Sequence, residues 1–252
     1  EGPNTLRRNS PALFNLAFRR MLNWDGGVES MEEQAILPLL AADELNLDPK
    51  DAVAELKAIP EYVELFAEAF PENPGVTVDN LASALAAFQR TMVSNRSLYD
   101  AYARGETEVF DDELVEGMFL FAEMGCSDCH VPPLFESDTF ANRNIEGLEW
   151  VIDDGRAEVT GSTDDIGKFR TPTLRNVFDT EPYFHNGSEK ELSEAVRHEL
   201  EQSDLPFTDE EAYLIYRFID EALRDDSRSA IRPRNVPSGL PTPLDGPIFP
   251  GR

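Results

Sequence analysis

The residues with the most chemistry lie in one short stretch, GCSDCHVPPLF, from Gly125 to Phe135, which contains both cysteines of the chain and one of its three histidines. Two cysteines separated by two residues suit a redox dithiol, half of a zinc site, or an anchor for haem. Cys126-Ser-Asp-Cys129-His130 is the c-type haem attachment pattern. Each thiol adds to one haem vinyl group, and His130 then lies under the iron and supplies the proximal imidazole. A thioredoxin-like dithiol normally sits in a βαβ pattern, which this sequence lacks. Zinc would need two further ligands, and there is no second cysteine pair. The expectation is one haem c attached in this chain, with no disulfide left to form. Covalent haem attachment occurs outside the cytoplasm in bacteria, which implies a periplasmic or extracellular protein.

The elements that must position this motif read as helices. FDDELVEGMFLFAEMG is helical and delivers the chain directly into Cys126. Upstream, SPALFNLAFRRMLNW opens with Ser10 and Pro11, a good N-cap and first-turn pair, and Leu13, Ala17, Met21 and Trp24 repeat at helical spacing. SMEEQAILPLLAADEL and DAVAELKAIPEYVELFAEAF read as helices broken by Pro38 and Pro60. TVDNLASALAAFQRTMVSN is the cleanest helix, with Leu81, Leu85 and Phe88 on one face. From Val131 to Thr180 neither period persists, and so long an irregular stretch is uncommon unless it is functional; wrapping a cofactor accounts for it. EKELSEAVRHEL and TDEEAYLIYRFIDEALRD are two further helices, before an extended proline-rich tail over 227–252. The fold class is therefore all-α with long irregular loops and little strand.

Lys plus Arg number 22 against 49 for Asp plus Glu, a net charge of −27. That balance argues against binding nucleic acid or anionic lipid. It suits a highly soluble, salt-adapted surface, or the attraction of a cationic electron-donor protein. No stretch approaches the roughly 20 apolar residues that span a bilayer. The opening EGPNTLRRNSPALF lacks the apolar core of a signal peptide, as a mature or truncated chain would.

RRNSPALFNLAF, NWDGGVESMEEQA, ALAAFQRTMVSNRSLYDAY, DDGRAEVTG, GKFRTPTLRNV and EPYFHNGS follow one another along the chain. Together they resemble the bacterial di-haem cytochrome c peroxidases and the related MauG-like enzymes, from Asn9 to about Asp225. The resemblance implies two cytochrome c-like haem domains, a peroxide-reacting N-terminal haem and an electron-relay C-terminal one. On that basis residues 1–100 are the remainder of the N-terminal haem domain, and 101–226 are the C-terminal domain with haem on Cys126 and Cys129. The first haem's own motif would lie upstream of Glu1. A processed or truncated chain, or a first-haem segment on another polypeptide, is therefore expected.

Further residues take roles only through this resemblance. Gln34 and Glu44 fall at the spacings after Trp24 where the family keeps its distal acid–base residues. A carboxylate there moves a proton between the two peroxide oxygens. The alternative is that both belong to solvated helix faces. Trp24 matches the tryptophan between the haems, where an indole shortens the tunnelling gap or is itself oxidised, and it can equally be a core aromatic. Asn9, Thr180 and Pro182 match a calcium site of one amide oxygen and two backbone carbonyls, suited to a hard cation. Arg170 in GKFRTPTLRNV is a cofactor-binding candidate, and His185 in YFHNG is one that orients the interface loop.

Relay haems in the family carry Met or Tyr on the helix after YFHNG, and here that position is Glu199. Leu192, Ala195, Val196 and Leu200 define the apolar stripe of this helix. At about 100° per residue Glu199 falls inside the stripe and His198 well off it. A carboxylate on a buried face is costly unless paired or metal-bound. Glu199 is thus the first candidate for the sixth iron ligand, His198 the second, and an open or water-bound iron the third. An anionic oxygen favours ferric or higher states where a thioether favours ferrous iron, which moves the resemblance toward MauG-like enzymes.

The function implied is a periplasmic haem-c oxidoreductase that reduces hydrogen peroxide. Its donor would be a small cytochrome c or cupredoxin, or it would oxidise a protein or small organic substrate. Expected partners include the missing first-haem segment or a second copy in a homodimer. The alternative is a non-catalytic mono-haem electron carrier.

Overall fold

The computed structural model describes residues 6–147, 152–203, 205–227 and 235–240. Most of the proline-rich tail lies outside the described residues. Ten α-helical segments and one two-stranded sheet are found among them. The helices are α1 (Met31–Leu40), α2 (Pro49–Lys57), α3 (Pro60–Ala69), α4 (Val78–Arg90), α5 (Leu98–Ala103), α6 (Asp112–Glu123), the single turn α7 (Cys126–Cys129), α8 (Ala157–Thr160), α9 (Leu192–Glu201) and α10 (Asp209–Arg217). The last continues as a π-helical turn over Phe218–Ala222. The strands β1 (Phe140–Ala141) and β2 (Phe169–Arg170) pair antiparallel. The fold is all-α, as the sequence implies.

The larger core forms around α6, α9 and α10. Asp111 caps α6 by accepting from the Leu114 amide, and Thr208 with Glu211 forms a capping box on α10. The two helices meet at Gly117, where a Cβ would stand 2.3 Å from the Leu214 carbonyl oxygen. Only a missing side chain allows that approach. Behind it lie Phe121, Phe135 and Phe218, each at most 2% exposed, with Phe135 meeting Phe121 and Phe218 at centroid distances of 5.9 and 6.0 Å. The expected stripe of α9, Leu192, Ala195, Val196 and Leu200, is buried in this same core.

A smaller core holds Leu16, Leu22, Val28, Met31 and Ala86. Here the structure departs from two expectations. Residues 10–24 do not form a helix, and only Leu16–Phe18 makes a 3-10 turn. Asn15 and Asn23 both take left-handed backbone, φ 62°, which interrupts a right-handed helix. Asn15 is fully buried, with its amide nitrogen donating to the Met92 carbonyl and its side-chain oxygen accepting from the Ser94 amide. On α4, the face carrying Leu85 and Phe88 is exposed, at 38% and 49%, while Ala82 and Ala86 are buried. Small residues let α1 and α4 approach closely, and that contact outranks the larger apolar side chains. Pro38 sits inside the last turn of α1 instead of ending it earlier, whereas Pro60 opens α3.

Buried polar groups tie together segments that are distant in the sequence. Asp225, 1% exposed, accepts from the amides of Asn95 and Arg96. Arg175 donates from Nη1 and Nη2 to both carboxylate oxygens of Asp100, at 2.8 and 2.7 Å.

Gly117→Ala forces α6 and α10 apart against backbone. The expected cost is about 1–3 kcal/mol, seen as a Tm lowered by about 2–4 °C per kcal/mol in thermal unfolding. An unchanged Tm would show that the two helices do not depend on this contact.

Candidate functional site

α6 ends at Glu123 with Met124 as its cap, and Gly125 takes φ 78° to turn the chain into α7, a left-handed conformation glycine adopts without strain. The turn puts Cys126 and Cys129 one helical turn apart, both half-buried and unpaired. Burial pushes the Cys126 thiol up to about 11, with the Glu199 carboxylate adding to the rise. A thiol so raised is a poor redox nucleophile, which counts against the dithiol reading. The amide of His130 donates to the Cys126 carbonyl at 2.9 Å, closing the turn.

Phe135 then fixes the imidazole. Nδ1 of His130 lies 3.2 Å from the Phe135 carbonyl oxygen, which also accepts from the Leu174 amide at 3.0 Å. Phe135 has φ 52° and its ring is clamped between Tyr99, Phe121 and Phe218. Burial holds His130 down at about 4, opposed by the backbone of Phe135 and Pro172. The ring is thus neutral near pH 7. With Nδ1–H donated to a carbonyl, Nε2 carries the lone pair a metal needs.

Glu199 is half-buried and paired. Arg143 Nε donates to its Oε2 at 2.7 Å, and Arg143 Nη2 donates to the Glu199 carbonyl at 3.1 Å. His198 Nε2 lies 2.9 Å from the Arg143 carbonyl, and its ring packs edge-on against Phe184. Arg143 had no role in the sequence reading. It is the only Lys or Arg between His130 and Arg156, a signal that was available.

In the amino-terminal half, the chain folds back between Leu22 and Val28, which form a bridge, and Trp24 rides on that loop. Its Nε1–H donates to the Asn9 carbonyl at 2.7 Å, while its own carbonyl accepts from the Arg170 amide at 2.7 Å. Gly26, with φ 66°, presses against Phe140 and Arg156 of the other half where no side chain would fit. Gln34 lines a small cleft with Leu16, Arg19, Leu22 and Asn23, and its buried Oε1 has no hydrogen-bond partner among the described residues. Glu44 is half-buried in the turn after α1, a turn held onto the helix by the Leu45 amide donating to Pro38 and the Leu47 amide to Leu39.

Arg170 is 2% exposed, and burial, with the charge of Arg19, pushes it down to about 10. Arg19 is itself buried and pairs with Glu136 at 2.5 Å. The sequence reading missed Arg19 and Glu136, which lie far apart in the chain. Asn9 donates from its side-chain amide to the Pro182 carbonyl, and its backbone amide donates to the His185 carbonyl at 2.6 Å. Thr180 is two residues from Pro182, with its hydroxyl donating to the Val177 carbonyl. His185 stacks on Phe169 at 3.6 Å, and burial pushes it down to about 4. Its ring is therefore packed between elements.

An all-α fold in which a Cys-x-x-Cys-His turn presents two unpaired thiols and a neutral, oriented imidazole is that of a c-type cytochrome. The family model for di-haem cytochrome c peroxidase matches residues 2–108. Cytochrome c551 peroxidase of Pseudomonas aeruginosa is 35% identical over 195 residues, covering 75% of this chain and 56% of that protein. The methylamine utilization protein MauG of Methylorubrum extorquens is 34% identical over 196 residues, covering 77% and 55%. The solved structure of a MauG-like protein associated with microbial copper homeostasis superposes with a TM-score of 0.77 at 26% identity, covering 88% of this chain and 77% of that one. These matches make the chain similar to the di-haem cytochrome c peroxidases and MauG proteins. It spans about half the length of the curated relatives named here. The family implies haem c, and the thiol spacing of α7 with the Nδ1-anchored His130 fits that group.

The Arg19–Glu136 pair generates a test. Glu136→Gln leaves buried guanidinium charge without its carboxylate and costs about 3–5 kcal/mol in denaturant unfolding. Removing both charges, as Arg19→Met with Glu136→Leu, costs much less. Equal losses in the two variants would contradict a coupled pair.

Proposed function

We propose that this chain is part of a periplasmic haem-c oxidoreductase that reduces hydrogen peroxide and relays electrons between two haems. One haem is attached at Cys126 and Cys129, and the second is supplied by a segment outside these 252 residues. The observation that carries the reading is the loop of Trp24, bonded on one side to Asn9 and on the other to Arg170. In this reading the indole, held through Nε1 by Asn9, lies between the part that carries Gln34 and the part that carries the haem motif, and the Arg170 bond holds the Trp24 backbone. The buried Oε1 of Gln34, without a partner among the described residues, supports a ligand pocket in the first half.

When bound, haem c supplies the iron chemistry that splits the oxygen–oxygen bond. The chain's residues handle position and protons. Glu44 accepts a proton from one peroxide oxygen and returns it to the other, and the Gln34 amide holds the peroxide by hydrogen bonding. Trp24 shortens the path for electrons between the halves. Residues 1–100 belong to the first haem domain and 101–226 to the second. Asn9, with Pro182 already against its amide and Thr180 beside it, provides oxygen ligands for calcium at the join. Arg170 and His185 support the cofactor pocket by holding Trp24 and the interface loop. The negative surface favours a cationic cytochrome c or cupredoxin as donor, and a protein or small organic molecule is the alternative source of electrons. Among the described residues no helix is long and apolar enough to cross a membrane.

Peroxide consumption by the haem-loaded full gene product, with a reduced small cytochrome as donor, is the test. Gln34→Leu and Glu44→Gln are each expected to lower kcat/KM by about 10²–10⁴ with haem content unchanged. A full product with one haem and no response to peroxide is a mono-haem carrier and would overturn the proposal.

A further inference from the structure

Both candidates for the sixth iron ligand are held by one residue. Arg143 binds the Glu199 carboxylate through Nε at 2.7 Å and the Glu199 carbonyl through Nη2 at 3.1 Å. Its own carbonyl lies 2.9 Å from His198 Nε2. The next residue, Asn144, donates to the Gln202 side chain at 2.8 Å. Residues 143 and 144 therefore form a strap across the carboxyl-terminal turn of α9.

This strap lies at the haem motif. Cys126 packs against the same cluster as Ala195, Val196 and Leu200, the buried stripe of α9, and Glu199 sits at the rim of that stripe. To reach iron, the Glu199 carboxylate must give up a charge-assisted bond to guanidinium, the stronger kind of hydrogen bond. His198 must likewise release a backbone carbonyl.

We propose that Arg143 is a positioning residue for this pocket: by holding Glu199 it keeps the carboxylate off the iron and leaves the position across from His130 open to a small exogenous ligand. The inference rests on the reading that haem c is attached at Cys126 and Cys129. It adds a small-molecule site where the family places an internal ligand.

The haem-loaded 252-residue chain is titrated with imidazole, a neutral probe chosen so that loss of the Arg143 charge does not itself alter affinity. The ferric spin state is read by electron paramagnetic resonance. The parent is expected to be high-spin and to bind imidazole with a shift to low-spin. In Arg143→Gln the freed carboxylate occupies the iron, and imidazole binds severalfold more weakly, about fivefold at most for an ion pair this exposed. Arg143→Gln with Glu199→Gln regains the parent affinity. The ion pair is 37–38% exposed, so its loss contributes little to stability. Should Arg143→Gln fail to fold, Arg143→Lys keeps the charge but loses the fork, and an intermediate loss of affinity is expected. A low-spin parent that does not take up imidazole overturns the proposal, as does an Arg143→Gln or Arg143→Lys variant indistinguishable from the parent. A change in Arg143→Gln that survives in the double variant overturns the role of Glu199. Absence of covalent haem in a pyridine haemochrome assay would instead overturn the haem reading beneath it.

Discussion

The hydrogen bond between the His130 imidazole and the Phe135 carbonyl is the constraint on which the site depends. A Cys-x-x-Cys turn fixes two thiols, but the imidazole that follows can rotate unless something holds Nδ1. Phe135 holds it because its own backbone has little freedom. Its amide donates to Val131, its carbonyl also accepts from Leu174, and its ring is locked among Tyr99, Phe121 and Phe218. The helix pair α6 and α10, brought together at Gly117, supplies the wall against which that ring packs. Core packing thus becomes the orientation of one nitrogen lone pair.

The arginines of this acidic chain work mainly as internal ties. Arg175 binds Asp100, Arg19 binds Glu136, and Arg8 binds Asp25 and Asp153. Arg156 donates to the carbonyls of Asp25 and Gly26 while lying over the Phe140 ring. Several of these bonds join the amino-terminal half to the half bearing the haem motif, around the loop of Trp24. With cations so committed, the excess of carboxylates is left to the outer surface, where it acts at long range on approaching partners.

How far the sequence could be read depended on how local each determinant is. The haem motif was legible because covalent attachment demands fixed spacing over five residues. The buried stripe of α9 was legible because helical periodicity is a short-range property, and the irregular 131–180 segment because both periods failed there. Residues 10–24 misled because their apolar spacing is helical while Asn15 and Asn23 take left-handed backbone. The bonds that hold Asn15 come from Met92 and Ser94. The face of α4 misled because close packing favoured Ala82 and Ala86 over larger side chains. Arg143 with Glu199, 56 positions apart, and Arg19 with Glu136 pair through the fold, and no local pattern marks them.

The central claim is that α7 and His130 form a haem c site. Its most direct measurement is mass spectrometry of a proteolytic digest of the chain, produced with the machinery that attaches haem to exported cytochromes. The account predicts one haem, joined by two thioether bonds to the peptide that contains Cys126 and Cys129. Recovery of that peptide with both cysteines as free thiols, or as a disulfide, would contradict it.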